Sequence, residues 1–85
     1  MRLKQPEEYI DYHEINPGFT VALDVLSNGN AAIIANAGHV ATAWEYHNVV
    51  AAQAAWHAWR PLSGVEPQGY ARRHDASSKV KVEAL

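Results

Sequence analysis

Hydrophobic and polar residues alternate over residues 19–25, FTVALDV, directly after the turn-forming sequence NPG. A period of two is typical of a β-strand with one buried face. Asn28 and Gly29 follow, and this dipeptide strongly favours a tight hairpin turn of type I′. We therefore predict a β-hairpin over residues 19–36, with Asn28 and Gly29 as its two-residue loop.

The loop length determines which side chains share a face of this hairpin, because a shift of one residue turns every side chain over. With a two-residue loop, Ser27 pairs with Asn30, and Leu23 lies opposite Ile34. An alternative interpretation, in which residues 17–27 form a helix, leaves the Asn-Gly dipeptide without a structural purpose. The face that we expect to be buried consists of Val21, Leu23, Val25, Ala32 and Ile34.

The apolar-rich stretch TAWEYHNVVAAQAAWHAWR, residues 42–60, has the features of an α-helix. Thr42 and Glu45 stand three residues apart, which is the spacing of a capping box, and alanine-rich sequence without Gly or Pro follows. Pro61 lacks an amide hydrogen and disfavours helical dihedrals at Arg60, so it ends the element. The sequence therefore predicts one long helix from Thr42 to Arg60.

These elements indicate a small α+β domain in which a β-hairpin or a three-stranded antiparallel meander packs on one long helix. The 85 residues suit a single domain. Residues 1–18 form an acidic amino-terminal segment, within which residues 6–15 fit either a short helix or an edge strand. Residues 61–85 form a loop and a basic tail, and residues 79–84 alternate like an exposed edge strand, with a frayed terminus as the alternative.

Composition and charge restrict the classes of function. The chain has no cysteine, which excludes disulfides, cysteine-based zinc sites and thiol catalysis. The formal charge of −2 gives no general attraction to nucleic acid or to an anionic membrane. The sequence also lacks the pattern of a secretion signal and an uninterrupted membrane span. We expect a protein of the cytoplasm, or of a particle assembled inside the cell, without membrane association.

Catalytic and metal-binding patterns are weak in this sequence. It contains no glycine-rich phosphate loop, no nucleophile elbow and no HExxH zinc motif. His47 and His57 would lie roughly 15 Å apart along one helix, which is too far to share an ion. The carboxylates of residues 7–14 have few apolar neighbours to perturb their pKa values. We accordingly expect no enzymatic activity, no cofactor and no metal site.

Large aromatic residues point in several directions around the predicted helix. At about 100° per residue, Tyr46 lies on one stripe, Trp44 and Trp59 on a second and Trp56 on a third. A small sheet covers one side of a helix, so at least one indole remains for a partner unless residues 61–69 and the amino-terminal segment fold over the other side. Trp, Tyr and Arg dominate binding hot spots. The predicted partner-binding residues are Trp44, Tyr46, Trp56, Trp59 and Arg60.

The preferred function is therefore that of a small non-enzymatic protein–protein interaction module. Alanine bands let a neighbouring helix approach closely, so we expect either self-association as a homo-oligomer or binding to a larger complex as an assembly component or inhibitor. Trp59-Arg60 and the loop with Gly and Pro that leads to Gly69-Tyr70 resemble the end of certain small tail-assembly proteins of bacteriophages. The resemblance covers residues 59–70 and implies a phage or mobile-element origin.

An alternative function is nucleic-acid binding by a small regulator that uses the basic tail. Cations neutralise phosphates, and an aromatic ring stacks on a base. From residue 61 onward, however, four Arg and Lys residues are balanced by three carboxylates. The candidate residues for this alternative are Tyr70, Arg72, Arg73, Lys79 and Lys81.

Overall fold

Five β-strands pair in the order in which they follow one another along the chain, so the sheet is an antiparallel meander. The computed structural model describes residues 5–76. The predicted α+β class is confirmed, but within the described residues the sheet has five strands, whereas the sequence patterns indicate two or three and a possible carboxyl-terminal edge strand. The elements are the 3-10 helix Pro6–Glu8, β1 Asp11–Asn16, β2 Phe19–Val25, β3 Ala31–Ala37, β4 Val40–Tyr46, α1 Val49–Ala58 and β5 Arg72–Ala76.

Two glycine turns connect β1 to β2 and β3 to β4. Gly18 and Gly38 have φ angles of 85° and 62°, in the left-handed region that favours glycine. The turns lie side by side, since the Gly38 amide donates to the Gly18 carbonyl oxygen at 2.9 Å. Sequence patterns fit either a helix or a strand over residues 6–15, and the structure has both, with the 3-10 helix first and the edge strand β1 after it.

The predicted helix over residues 42–60 is wrong in its first part, because the chain there forms strand β4. Thr42 and Glu45 form no capping box; they lie on opposite faces of β4, which hydrogen-bonds to β3 on one side and β5 on the other. Helix α1 begins after Asn48, whose side-chain oxygen accepts a hydrogen bond from the Ala51 amide at 2.8 Å. Pairing with two neighbouring strands therefore outweighs the local helix preference of alanine.

The predicted hairpin is present as β2 and β3, but its register differs from the prediction by one residue. Leu26 and Asn30 close a three-residue loop through a 2.8 Å hydrogen bond, and Gly29 occupies the left-handed region at φ 87°. Leu23 consequently lies opposite Ile33. This register turns Ala31 and Ile33 towards α1 and places Ala32 and Ile34 on the opposite face.

The central strands are buried on both faces, which explains why β3 has a continuous apolar run and not a simple alternation. Helix α1 packs on one face only. Within residues 5–76, neither α1 nor the 3-10 helix has the length and apolar content needed to cross a membrane. The cluster beneath α1 contains Val21, Leu23, Ala31, Ile33, Trp44, Tyr46, Ala52 and Trp56, and the cluster on the opposite face contains Leu26, Ala32, Ile34, Ala41 and Ala43.

The fifth strand, β5, lies in a polar part of the sequence for which no strand is predicted. Its register places Arg73 opposite Trp44 and His74 opposite Ala43 on β4. The Ala71 amide, just before β5, donates to the carbonyl oxygen of Glu45 at 2.8 Å. The predicted edge strand over residues 79–84 lies outside the described residues.

Candidate protein-binding surface

Three of the predicted partner-binding residues, Trp44, Tyr46 and Trp56, are buried in the cluster beneath α1 and are not accessible to a partner. Their polar atoms also have partners inside the domain. The Trp44 Nε1 donates to Glu66 Oε2 at 3.0 Å, and the Tyr46 hydroxyl donates to the Gln68 carbonyl oxygen at 2.7 Å. Strand β4 directs Trp44 and Tyr46 into the core, and helix α1 directs Trp56 there, so these three predicted residues do not lie on the exposed surface of the domain.

Asp11, on the edge strand β1, binds the indole of Trp56 through its carboxylate. Trp56 Nε1 donates to Asp11 Oδ2 at 3.0 Å, and the His13 ring stacks on the Trp56 ring with centroids 5.6 Å apart. The hydrogen bond from Trp56 is the main reason that the pKa of Asp11 lies below its ordinary value. The amino-terminal segment thus covers one side of Trp56.

The loop after α1, residues 61–70, covers the other side of the aromatic cluster. Pro67 is completely buried, and Trp59 Nε1 donates to the Val65 carbonyl oxygen at 2.8 Å. The Trp59 ring meets the Trp44 ring edge to face, with centroids 5.5 Å apart. Folding of the loop and the amino-terminal segment over the helix is the alternative that the sequence leaves open, and the hydrogen bonds of Trp44, Trp56 and Trp59 to these two segments agree with it.

Glu66 is the main polar link between this loop and the sheet. Its carboxylate accepts hydrogen bonds from Trp44 Nε1 at 3.0 Å, from the Tyr70 hydroxyl at 2.9 Å and from Arg73 Nη1 at 3.0 Å. These donors, first of all Trp44, hold the pKa of Glu66 below its ordinary value. Burial, assisted by the nearby Glu66 charge, raises the pKa of Tyr46 to about 12.

Apolar side chains remain exposed where α1 ends and the loop begins. Leu62 is 71% exposed and Val65 is 58% exposed, while Trp59 and Ile15 are half-buried. They border two grooves, of about 180 Å³ and about 370 Å³, which adjoin at Arg60 and Ser63. We call this region the Arg60 surface, and it comprises Ile15, Trp59, Arg60, Pro61, Leu62 and Val65.

A tight turn shapes the Arg60 surface. The Ser63 amide and hydroxyl both donate to the Arg60 carbonyl oxygen, at 3.0 Å and 2.6 Å, and the Val65 amide donates to Ser63 Oγ at 3.2 Å. The turn leaves Leu62 exposed at its apex. Sequence reasoning missed Ile15, Leu62 and Val65; the signal for the last two is the presence of large apolar residues in a loop rich in Gly and Pro, where polar residues are usual.

The Arg60 guanidinium is exposed, and its closest polar contact is long: Nη1 lies 3.5 Å from the His57 carbonyl oxygen. Among residues 5–76, no carboxylate lies within ion-pair distance of it. Among the residues that line these two grooves, the acidic one is Glu66, and the three donors described above engage its carboxylate. The Arg60 surface thus combines apolar walls with a cation that has no charged partner in the described structure.

The residues proposed for nucleic-acid binding are only partly available. Arg73 contacts Asp75 at 3.2 Å and Glu66 at 3.0 Å, and its guanidinium lies 6.0 Å from the centre of the Trp44 ring. Tyr70 is half-buried and donates to Glu66, whereas Arg72 is exposed. The two predicted lysines, Lys79 and Lys81, lie outside the described residues.

A second polar cluster surrounds Glu45 on the face of the sheet opposite α1. Its carboxylate accepts from Asn30 Nδ2 at 2.6 Å and from Asn28 Nδ2 at 3.2 Å, and it lies 2.8 Å from His74 Nε2. The Asn30 hydrogen bond, followed by the His74 contact, lowers the pKa of Glu45 to about 2. The cluster joins the hairpin loop, β4 and β5, and it borders a cleft of about 270 Å³ lined by Asn28, Asn30, Glu45, His47, Ala71 and Arg72.

In residues 5–76, no group of three or more His, Asp and Glu side chains is arranged to hold a metal ion. Comparison of the chain with protein-family models, with curated proteins and with solved structures gave no match. The function therefore has to be inferred from the contacts and charges of the molecule itself.

Proposed function

We propose that this protein is a small protein–protein interaction module without catalytic activity, and that it binds its partner through the Arg60 surface. The observation that carries the proposal is the exposure of Leu62 and Val65 beside two adjoining apolar grooves. Single exposed apolar residues are common on protein surfaces, but a continuous apolar surface with a polar rim is typical of a binding site.

The contacts of Trp59 support this location. Its ring is held by the Trp44 and Trp56 rings, with centroids 5.5 Å and 6.4 Å away, and its Nε1 donates to the Val65 carbonyl oxygen. An aromatic side chain that is already fixed loses little conformational entropy when a partner covers it. Of the residues predicted from sequence, Trp59 and Arg60 therefore stay in the proposed site, and the buried aromatic residues support them from below.

The partner is a further copy of the chain or a component of a larger complex, in which the protein acts as an assembly component or inhibitor. The resemblance of residues 59–70 to small tail-assembly proteins of bacteriophages supports a role in a phage or mobile-element particle. Nucleic-acid binding has less support, since Arg73 already faces two carboxylates. Catalysis has less support as well, because Glu45 and His74 are engaged in contacts that join the hairpin loop to β4 and β5.

Two valines with the same exposed fraction provide a matched test. Val65 lies in the Arg60 surface, Val40 is the first residue of β4, and each is 58% exposed. We expect Val65→Asp to abolish association and Val40→Asp to retain it, because only the first places an unpaired charge in the apolar interface. Association is measured as the mass of the purified protein in solution over a range of concentrations, and as quantitative recovery of a partner from host extract with each variant.

Equal behaviour of the two variants and the wild type contradicts the proposal. The proposal is also contradicted if the wild type is monomeric and recovers no partner that Val65→Asp fails to recover. A salt-sensitive shift of nucleic acid that is lost in the double variant Arg72→Ala, Arg73→Ala favours the alternative function, provided that Val65→Asp leaves this shift unchanged.

A further inference from the structure

Resting on the proposed function, we propose that the Arg60 surface recognises a peptide segment in which a carboxylate side chain stands between apolar side chains. The position of Arg60 suggests this pattern, because its side chain lines both grooves. A segment lying across the surface would place one apolar side chain beside Trp59 and Val65 and another beside Ile15 and Leu62. The side chain between these two would lie over the guanidinium.

The charge of the surface determines the chemistry of that middle position. An arginine guanidinium has five N–H donors and binds a carboxylate through two parallel hydrogen bonds. In the described residues, the polar contact of the Arg60 guanidinium is the long one with the His57 carbonyl oxygen. A partner that covered Arg60 without offering an acceptor would bury an unpaired charge, which is strongly unfavourable. The surface therefore favours Asp or Glu and opposes Lys or Arg at this position.

The neighbouring carboxylate does not reverse this preference. Glu66 lines the groove beside Trp59, but its oxygens accept from Trp44, Tyr70 and Arg73. Arg73, 3.0 Å from Glu66, offsets part of its charge, and the same guanidinium also contacts Asp75 at 3.2 Å. Arg60, in contrast, has no ion-pair partner among the described residues, and the apolar walls on both sides reduce solvent screening of any ion pair formed there.

A random peptide library displayed against the immobilised full-length chain tests the inference. We expect the wild type to enrich peptides that contain apolar residues around Asp or Glu. Arg60→Glu should invert the preference towards Lys or Arg, and it should weaken binding of the best wild-type peptide by about tenfold or more, measured by fluorescence anisotropy. Arg60→Gln provides a milder variant, and circular dichroism of each variant verifies folding. Val40→Asp should bind as the wild type does.

The possible outcomes distinguish failure of the acidic-segment inference from failure of the proposed function. Enriched peptides that require Val65 but show no acidic preference, or that bind Arg60→Glu as well as wild type, overturn the inference and leave the proposed function standing. Failure to enrich any peptide above the Val65→Asp background, together with a monomeric mass, overturns both. A defined dimer that is disrupted by Val65→Asp and unaffected by Arg60→Glu identifies a second copy as the occupant and overturns the acidic-segment inference.

Discussion

The side chain of Glu45 shows how a buried charge is retained in this small domain. It is only 8% exposed, yet three side chains from two other parts of the sheet bind its carboxylate. Burying a carboxylate is costly unless hydrogen bonds replace its hydration. Asn28 and Asn30 supply two of these bonds from the hairpin loop, and His74 supplies the third contact from β5. Glu45 therefore couples three elements that are distant in sequence.

Glu45 should make the folded protein sensitive to acid. Its pKa falls from the ordinary 4.5 to about 2 on folding. The resulting stabilisation is complete above the unfolded value and is lost as the pH falls from about 4.5 towards about 2. On acidification from about pH 7 to about pH 3, we expect the wild type to lose about 2 kcal/mol more free energy of unfolding than Glu45→Gln does.

Urea unfolding at both pH values measures this difference. Glu14→Gln is the control, because it removes one carboxylate from an exposed position on β1. This control should retain the wild-type acid sensitivity. Some sensitivity should persist in Glu45→Gln, since the pKa values of Asp11, Glu66 and Asp75 are also lowered. Identical acid sensitivity in wild type and Glu45→Gln would show that the carboxylate contacts do not stabilise the fold.

At the level of elements, local patterns predicted the strand over residues 19–25 and the turn before it, because alternation and turn chemistry are encoded by adjacent residues. They did not predict the register of the hairpin. A two-residue loop at Asn28 and Gly29 is locally favourable, but the three-residue loop lets Asn28 and Asn30 both reach Glu45 on β4. The deciding partner lies 15 residues from Asn30 in sequence, so local turn preferences do not identify it.

The same limit explains the error in the helix. Alanine-rich sequence favours a helix from Thr42 onward, but β4 gains hydrogen bonds along both of its edges. The partner strand β5 has the sequence RRHDA, which has no alternating apolar pattern. Without β5, the stretch that contains Trp44 has a partner strand on one edge only. Its local sequence then favours a helix over a strand. Asn48, a favoured N-cap residue inside the predicted helix, was the available signal for the true start.

Replacing Asn48 tests where the helix begins. Asn48→Ala removes the acceptor of the 2.8 Å hydrogen bond from Ala51 and should lower the free energy of unfolding by about 1 kcal/mol. Asn48→Ser keeps an acceptor and should lose much less. Thr42→Val should leave α1 intact, because Thr42 lies on β4. Denaturant unfolding and hydrogen exchange of the first-turn amides measure these effects; helix fraying in Thr42→Val would contradict the assigned start.

For the molecule as a whole, the path of residues 61–70 decides which aromatic residues remain for a partner. The sequence permits this loop to cover the helix, but local patterns do not identify which indoles are covered. Which indoles are covered depends on the position of Trp44 in β4 and on the hydrogen bonds that Trp44, Tyr70 and Arg73 donate to Glu66. Trp59 and Arg60 could be proposed from sequence because Trp and Arg are among the residue types that dominate binding hot spots.

Removing the Glu66 carboxylate should therefore loosen the loop and alter the proposed surface together. Glu66→Ala deprives Trp44, Tyr70 and Arg73 of their shared acceptor, so we expect faster hydrogen exchange over residues 61–70 and stronger quenching of tryptophan fluorescence by acrylamide. Glu14→Ala, on the exposed side of β1, should change neither signal. Because a hydrogen bond joins Trp59, at the end of α1, to Val65 in this loop, association through the Arg60 surface should weaken in parallel. Unchanged exchange of the loop in Glu66→Ala would show that apolar packing around Pro67 is sufficient to hold it, and that the carboxylate is not the link that fixes this surface.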